Sequence, residues 1–274
     1  RRKVIVIDAG QSRAAWIPTS HNYPGFEAGI GGRDLLARLA EQADQYGAEL
    51  RRGEVTKIEK DGDVFVATAE GKEACAKRVL IATGIVDEAP LMPGLKDAVY
   101  EGALRFCPIC DGYEAQGESI AVLGHVETAW RKAIFLRTYS KDVTLLCIDD
   151  PGNITDECRQ ELTNAKVNFP HERAVDVDRS GEKIAVLLES GERRTFDVLY
   201  PALGCEVRSQ LALDLGAKAT GNGNLLVDDC QLTSVKGLYA AGDVVSDLHQ
   251  ISVGLGHAAI AATKIHNELE RNLA

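Results

Sequence analysis

The sequence predicts an α/β protein made of two similar strand–helix–strand halves. Three observations carry this. Short apolar runs at residues 4–7 and 119–123 end on Asp8 and Gly124, as buried parallel strands do. Segments with helical spacing lie between the strands, at 34–46 with Gly47 as a C-cap and at 127–139. The order recurs on either side of Pro90 to Gly94, a break that reads as a hinge.

Residues 4–7 form the first strand, expected to be buried and parallel. Residues 11–32 carry Pro18, Pro24 and several glycines and read as a long loop. After the helix at 34–46, strands at 54–58 and 64–68 are joined by an Asp61-Gly62 hairpin turn. Residues 78–83 are another buried strand, closed by Gly84. Beyond the hinge come a strand at 119–123, the helix at 127–139 and a strand at 142–147. Strands at 183–188 and 194–200 follow, then Gly237-Leu238-Tyr239-Ala240-Ala241-Gly242-Asp243, a strand ending in a tight turn. Residues 252–269 form the last helix.

A length of 274 residues fits two domains of roughly 100–150 residues each. The net charge of -10 makes nucleic acid and anionic membrane poor partners. No apolar run approaches the ~20 residues that span a bilayer, and no signal peptide is expected. The chain opens Arg1-Arg2-Lys3, without Met, directly before a strand, which reads as a fragment. Seven cysteines are scattered apart from one Cys-x-x-Cys. That is no secreted disulfide framework and suits a reducing cytoplasm.

The most informative stretch is Arg105-Phe106-Cys107-Pro108-Ile109-Cys110-Asp111-Gly112-Tyr113-Glu114. Two cysteines at this spacing close a small disulfide ring, and a helix start stabilises a thiolate. Asp111 stands where a carboxylate can exchange the proton of a leaving thiol. A zinc knuckle is the competing reading, but structural zinc wants four ligands and no second such pair exists, so no metal is expected. An inert buried pair is the third.

The Cys-x-x-Cys-Asp-Gly stretch with its following aromatic and Glu resembles the active-site signature of low-molecular-weight thioredoxin reductases, class II pyridine nucleotide-disulfide oxidoreductases. Asn22-Tyr23-Pro24-Gly25-Phe26, Ala82-Thr83-Gly84 with Pro93-Gly94, and Ala240-Ala241-Gly242-Asp243-Val244 with Gln250 and Gly254-x-Gly256 are similar to that family's flavin segments, in the same order. The resemblance covers essentially the whole chain.

It implies two Rossmann-like, three-layer β/β/α domains. Residues 1–97 and 231–274 would form a discontinuous FAD domain, with residues 98–230 inserted as a nicotinamide-type domain carrying the cysteines. It implies a homodimer acting on a thioredoxin-like protein or a small disulfide. The FAD contacts would include Asp8 on the adenosine ribose, Asn22, Val55, Thr83, Gly84, Gly242, Asp243 on the ribityl or pyrophosphate part, and Gln250 and Ile251 against the ring. Cys110 would face the flavin, Cys107 would exchange with substrate and Asp111 would be the acid/base. The domains would rotate about the segments near Gly94 and Gln231. The family also opens with a strand and a Gly-x-Gly-x-x-Gly turn that would precede Arg1. This sequence lacks them, so weak FAD retention is expected.

The second glycine turn departs from the pattern. It reads Gly124-His125-Val126-Glu127-Thr128-Ala129, with Val126 in place of the middle glycine. Gly124 is the one cofactor-binding position assigned there, and the β-branched Val126 is expected to obstruct a pyrophosphate. After the next strand stands Cys147-Ile148-Asp149-Asp150 instead of an arginine-rich stretch, and His249 stands where the family has Arg. The donor is therefore NADPH, NADH or neither. Two alternatives stay open beside the reductase: a dithiol oxidase using FAD and oxygen, and a non-catalytic flavin-binding relative.

Overall fold

The computed structural model describes residues 2–271. The chain runs β1 (Ile5–Asp8), α1 (Gly32–Gln45), β2 (Glu49–Arg52), β3 (Val55–Asp61), β4 (Val64–Ala69), β5 (Lys72–Ala76), β6 (Val79–Ile81) and β7 (Ile85–Asp87). It continues with α2 (Leu95–Tyr100), α3 (Pro108–Asp111), β8 (Ile120–Gly124), α4 (Val126–Leu136), β9 (Val143–Cys147) and α5 (Asp156–Asn164). Then come β10 (Ala174–Ser180), β11 (Lys183–Leu188), β12 (Arg193–Phe196), β13 (Val198–Ala202) and β14 (Cys205–Val207). The last elements are α6 (Gln210–Leu213), β15 (Leu238–Ala240) and α7 (Ile251–Glu268). The α/β class expected from the sequence is the class observed.

The chain forms two compact units. One holds the segment up to Ala15, Gly32–Val86 and the segment from Glu206 onward; the other holds Trp16–Gly31 and Asp87–Cys205.

In the second unit, β13, β8 and β9 make a parallel sheet in that order. Every residue of β8 and β9 is buried, because both sheet faces are covered. Ile120 and Val122 face one way, into a core with Val126, Ala129 and Ala133 of α4 and Cys158 and Leu162 of α5. Ala121 and Leu123 face the other way, against Ile184, Val186 and Leu188 of β11. That strand is the centre of the antiparallel sheet β10-β11-β12, so the unit has three layers, β/β/α. One stretch, 194–200, expected as a single strand, is two. Asp197 breaks it by accepting the Ser119 N–H and pairing with Lys183, so that β12 joins one sheet and β13 the other.

Gly124 ends β8 against β13. A Cβ there would lie 2.2 Å from the Ala202 carbonyl oxygen, which is backbone and cannot swing aside. Gly124→Ala is expected to cost at least ~1–3 kcal/mol, the usual range for overpacking, measured as a lower urea midpoint at unchanged slope.

In the first unit, β3 and β4 form the expected hairpin, but its loop is Gly62-Asp63, one residue later than expected, because Asp61 still pairs with Val64; β5 follows on the same sheet. Ile58 and Phe65 of that sheet share a core with Ile81, Leu238, Ala240 and Val244. β15 pairs in parallel with β6. β1 pairs in parallel with β2, but the expected burial of its run does not hold: Val4, Ile5 and Val6 are all more than a third exposed. Apolar composition alone does not bury a strand; a covering layer does.

Candidate active site

The redox turn is built from the edge of β13. Residues 103–105 run alongside it, with the Leu199 N–H donating to Ala103 O and the Arg105 N–H donating to Leu199 O. Lys132 of α4 then donates to the carbonyls of Pro201 and Phe106, fixing the residue before Cys107. Cys107 sits at the N-cap of α3 in extended conformation, and the Cys110 and Asp111 N–H groups both donate to its carbonyl. Pro108 at the first helical position suits this start. Cys107 and Cys110 form a disulfide with a Cα–Cα distance of 5.2 Å, within the usual range. The helix is a single turn, so it lends a thiolate less dipole than the sequence suggested. Cys75, Cys147, Cys158 and Cys230 are free thiols.

Asp111 is the centre of a polar cluster that the sequence did not reveal. The fully buried Tyr200 of β13 donates its hydroxyl to Asp111 Oδ1 at 2.9 Å. Arg105 Nη1 lies 3.6 Å from Asp111 Oδ2 and 2.8 Å from Glu114 Oε2. The other oxygen of Glu114 is 2.6 Å from His21 Nδ1. Burial pushes the Asp111 carboxyl up to about 6, against the Arg105 charge and the Tyr200 hydrogen bond, which pull it down. Burial, with the Asp111 charge, raises the Tyr200 phenol above its ordinary range, so it stays a donor. Burial would raise Glu114 too, but hydrogen bonds from Arg105 and His21 outweigh it and hold the carboxyl below its ordinary value. A group that changes protonation near neutrality beside a disulfide can give or take a thiol's proton.

Tyr200→Phe removes one of the two contacts holding Asp111 down. The pH at which thiol–disulfide exchange bends should therefore move upward from about 6. Stopped-flow exchange rates from pH 5 to 9 measure this; an unmoved bend would separate Asp111 from the profile.

In the first unit, Thr83 and Gly84 are tied to Arg208: the Thr83 hydroxyl donates to its carbonyl, and its N–H donates to Gly84 O. Gly84 has φ +67° with open space where a Cβ would be. Gly242, two residues past the end of β15, has φ +81°, donates its N–H to His257 Nδ1 and lies against Gly254 of α7. Asp243 follows, 3.8 Å from Arg13. Gln250 is the extended N-cap of the 18-residue α7 and makes no side-chain cap hydrogen bond. The first N–H groups of such a helix have no intrahelical partner and can receive an anionic or carbonyl edge. Asp8 ends β1, accepts the Gly10 N–H and stands 3.6 Å from Arg52. Val55 opens β3. These strand ends, glycine turns and open helix start fit the demands of a bound FAD. Asn22 belongs to the second unit, where it accepts from the Ser20 hydroxyl.

The second unit has its own helix start after a parallel strand, at α4. The expected obstruction by Val126 is not what the structure shows. Its side chain is buried in the core beneath the helix. What meets the helix end is Asp149: its Oδ1 accepts the Val126 N–H at 3.2 Å and its Oδ2 lies 3.3 Å from His125 Nδ1. The residues here do not fit a dinucleotide pyrophosphate, because a carboxylate already holds the N–H that would receive it.

Among the described residues no three His, Cys, Asp or Glu side chains are arranged to hold a metal ion, and no helix is long and apolar enough to cross a membrane. Tyr200 had one signal in the sequence: a tyrosine inside the apolar run Val198-Leu199-Tyr200-Pro201 needs a partner for its hydroxyl.

The sequence pattern of pyridine nucleotide-disulphide oxidoreductases matches residues 2–263. The bifunctional thioredoxin reductase/thioredoxin of Mycobacterium leprae (strain TN) is 31% identical over 250 residues, 88% of this chain and 54% of that protein. The chain thus spans about half the length of that relative. The thioredoxin reductase of Peptoclostridium acidaminophilum is 28% identical over 295 aligned positions, covering 99% of this chain and 91% of that one. The crystal structure of thioredoxin reductase from Streptococcus pyogenes MGAS5005 superimposes with a TM-score of 0.87 at 27% identity, over 96% of this chain and 89% of the other.

Proposed function

We propose that this chain, which belongs to the pyridine nucleotide-disulphide oxidoreductase family, works as a FAD-dependent thiol–disulfide oxidoreductase of the thioredoxin-reductase type. The observation that carries the reading is the Cys107–Cys110 disulfide with the Asp111–Tyr200–Arg105 cluster beside it. Asp8, Val55, Thr83, Gly84, Gly242, Asp243, Gln250 and Ile251 would hold FAD, which when bound supplies a two-electron store. Divided by function, residues 1–97 and 231–274 bind FAD and residues 98–230 carry the redox pair.

In the reducing direction, the Cys107 thiolate attacks one sulfur of a substrate disulfide. The bond between the substrate sulfurs breaks, and the leaving thiolate takes a proton. Cys110 then attacks the Cys107 sulfur, re-forming the protein disulfide and expelling the second substrate thiolate, which also takes a proton. Two electrons leave the cysteine pair for the substrate. Asp111 gives and takes the protons, and Tyr200 and Arg105 position it. Run backwards, the same steps oxidise a dithiol. The substrate is a thioredoxin-like protein or a small disulfide, a reading that rests on the thioredoxin reductases it resembles. A homodimer in the cytoplasm is part of the same proposal, and free thiols such as the buried Cys147 and Cys158 suit a reducing compartment.

Anaerobic reduction of the FAD-loaded protein, followed by iodoacetamide and peptide mass mapping, tests it. Cys107 and Cys110 should become labelled only after reduction. The thiol content should fall by two when a disulfide is added before the label. A pair that stays unlabelled after full reduction of the flavin would overturn the reading.

A further inference from the structure

We infer that Asp149 closes the second nucleotide cradle from within, so that this chain takes up no pyridine nucleotide there and receives its electrons as thiols. The inference rests on the disulfide-oxidoreductase reading only in taking the start of α4 as the place where a dinucleotide would lie.

The start of α4 follows β8 through Gly124 and His125, a strand-to-helix turn of the kind that receives phosphates at its N–H groups. In this chain the first helical N–H, that of Val126, is bound to Asp149 Oδ1. The second oxygen of the same carboxylate meets the His125 ring. Asp149 reaches the helix start from the end of β9, the neighbour of β8 in the sheet. A phosphate approaching this turn would have to displace the carboxylate and then sit beside its charge.

The neighbouring groups do not reverse this. Glu127 adds a second acid to the first turn of α4. Asp150 folds back on its own turn, where it accepts the Gly152 N–H. The surface beside it carries His171 and Arg173, but Glu172 and Glu189 share it, and Arg173 Nε is directed at the Ile148 carbonyl. Gly124 has a packing reason to lack a side chain, the Ala202 carbonyl 2.2 Å from where its Cβ would be. Val126 faces the core. The glycine pattern at this turn therefore records strand packing, and the anion position is filled by the protein.

The electron donor is then a dithiol. One donor thiolate attacks the Cys107 sulfur and breaks the Cys107–Cys110 bond. The second donor thiol displaces Cys107 from the mixed disulfide. The donor becomes a disulfide, and its two electrons and two protons pass to the cysteine pair.

Equilibrium binding of NADPH and of NADH to the FAD-loaded protein, followed by calorimetry, tests the inference against Asp149→Ala, with circular dichroism confirming that the variant is folded. The expected result is no saturable binding to the wild-type protein up to about 1 mM, and measurable binding at least about tenfold tighter in the variant. Saturable wild-type binding of either nucleotide would overturn it. Absence of binding in both proteins would overturn it as well, because something other than Asp149 would then close the turn. In parallel, dithiothreitol should open the Cys107–Cys110 disulfide in both proteins. If that reaction proceeds while the nucleotide result goes the wrong way, the disulfide chemistry stands and only the closed cradle fails.

Discussion

Cys110→Ser is expected to abolish turnover, by about a thousandfold or more, and to leave substrate trapped on the protein. The two sulfurs do different work in the exchange. Cys107, at the N-cap of α3, is the sulfur joined to substrate in the mixed disulfide. Cys110 is the sulfur that releases it, and serine cannot displace a disulfide sulfur at neutral pH. The Cys110→Ser protein should therefore carry one half of the substrate disulfide per chain, a single RS group on Cys107, removable by dithiothreitol. Cys107→Ser should be equally inactive and carry none. Intact-mass spectrometry after incubation with a small disulfide reads both. Trapping on Cys107→Ser in place of Cys110→Ser would exchange the two assignments.

Asp111→Asn is expected to slow exchange by roughly 10²–10⁴, the usual weight of a positioned acid/base, while making the fold more stable. The sign follows from the carboxyl's displacement from its ordinary value of 3.8 up to about 6 in the folded protein. Between those values the unfolded chain has already lost the proton that the native state keeps. Stability therefore falls as pH rises through this window and stays lower above it. At pH 8 the ionised carboxylate costs about 3 kcal/mol, to order of magnitude, relative to a neutral group. Asparagine removes that cost and can still accept from the Tyr200 hydroxyl. The gain in urea midpoint should be present at pH 8 and vanish below about pH 4. A variant both inactive and less stable at pH 8 would show that the Arg105 and Tyr200 contacts outweigh the burial of the charge.

The parts of this molecule written in consecutive residues were legible. The β8 and β9 runs read as parallel strands because both sheet faces bury them. Asp61-Gly62 announced the β3-β4 hairpin, one residue early, since its loop is Gly62-Asp63, and the Cys107–Cys110 spacing announced its disulfide. What escaped needed a second partner far along the chain. Tyr200 meets Asp111 across 89 positions, and His21 meets Glu114 across 93. Asp149 was visible as an acid after a strand, but that its carboxylate turns back onto the Val126 N–H is a matter of sheet order. Val126 was misplaced for a related reason: the first helical residue can point its side chain into the core, and only the packing decides. The exposure of β1 is the same lesson for a strand, since burial is set by what packs on it.

The central claim is that the Cys107–Cys110 pair and FAD form one electron-carrying unit. An anaerobic dithionite titration of the FAD-loaded protein, followed by flavin absorbance and by thiol count, tests it most directly. The wild-type protein should take up about four electrons per chain, two appearing as bleached flavin and two as new thiols. Cys107→Ser and Cys110→Ser should each take up about two, all in the flavin. An uptake of two electrons by the wild-type protein with no new thiols would contradict the claim.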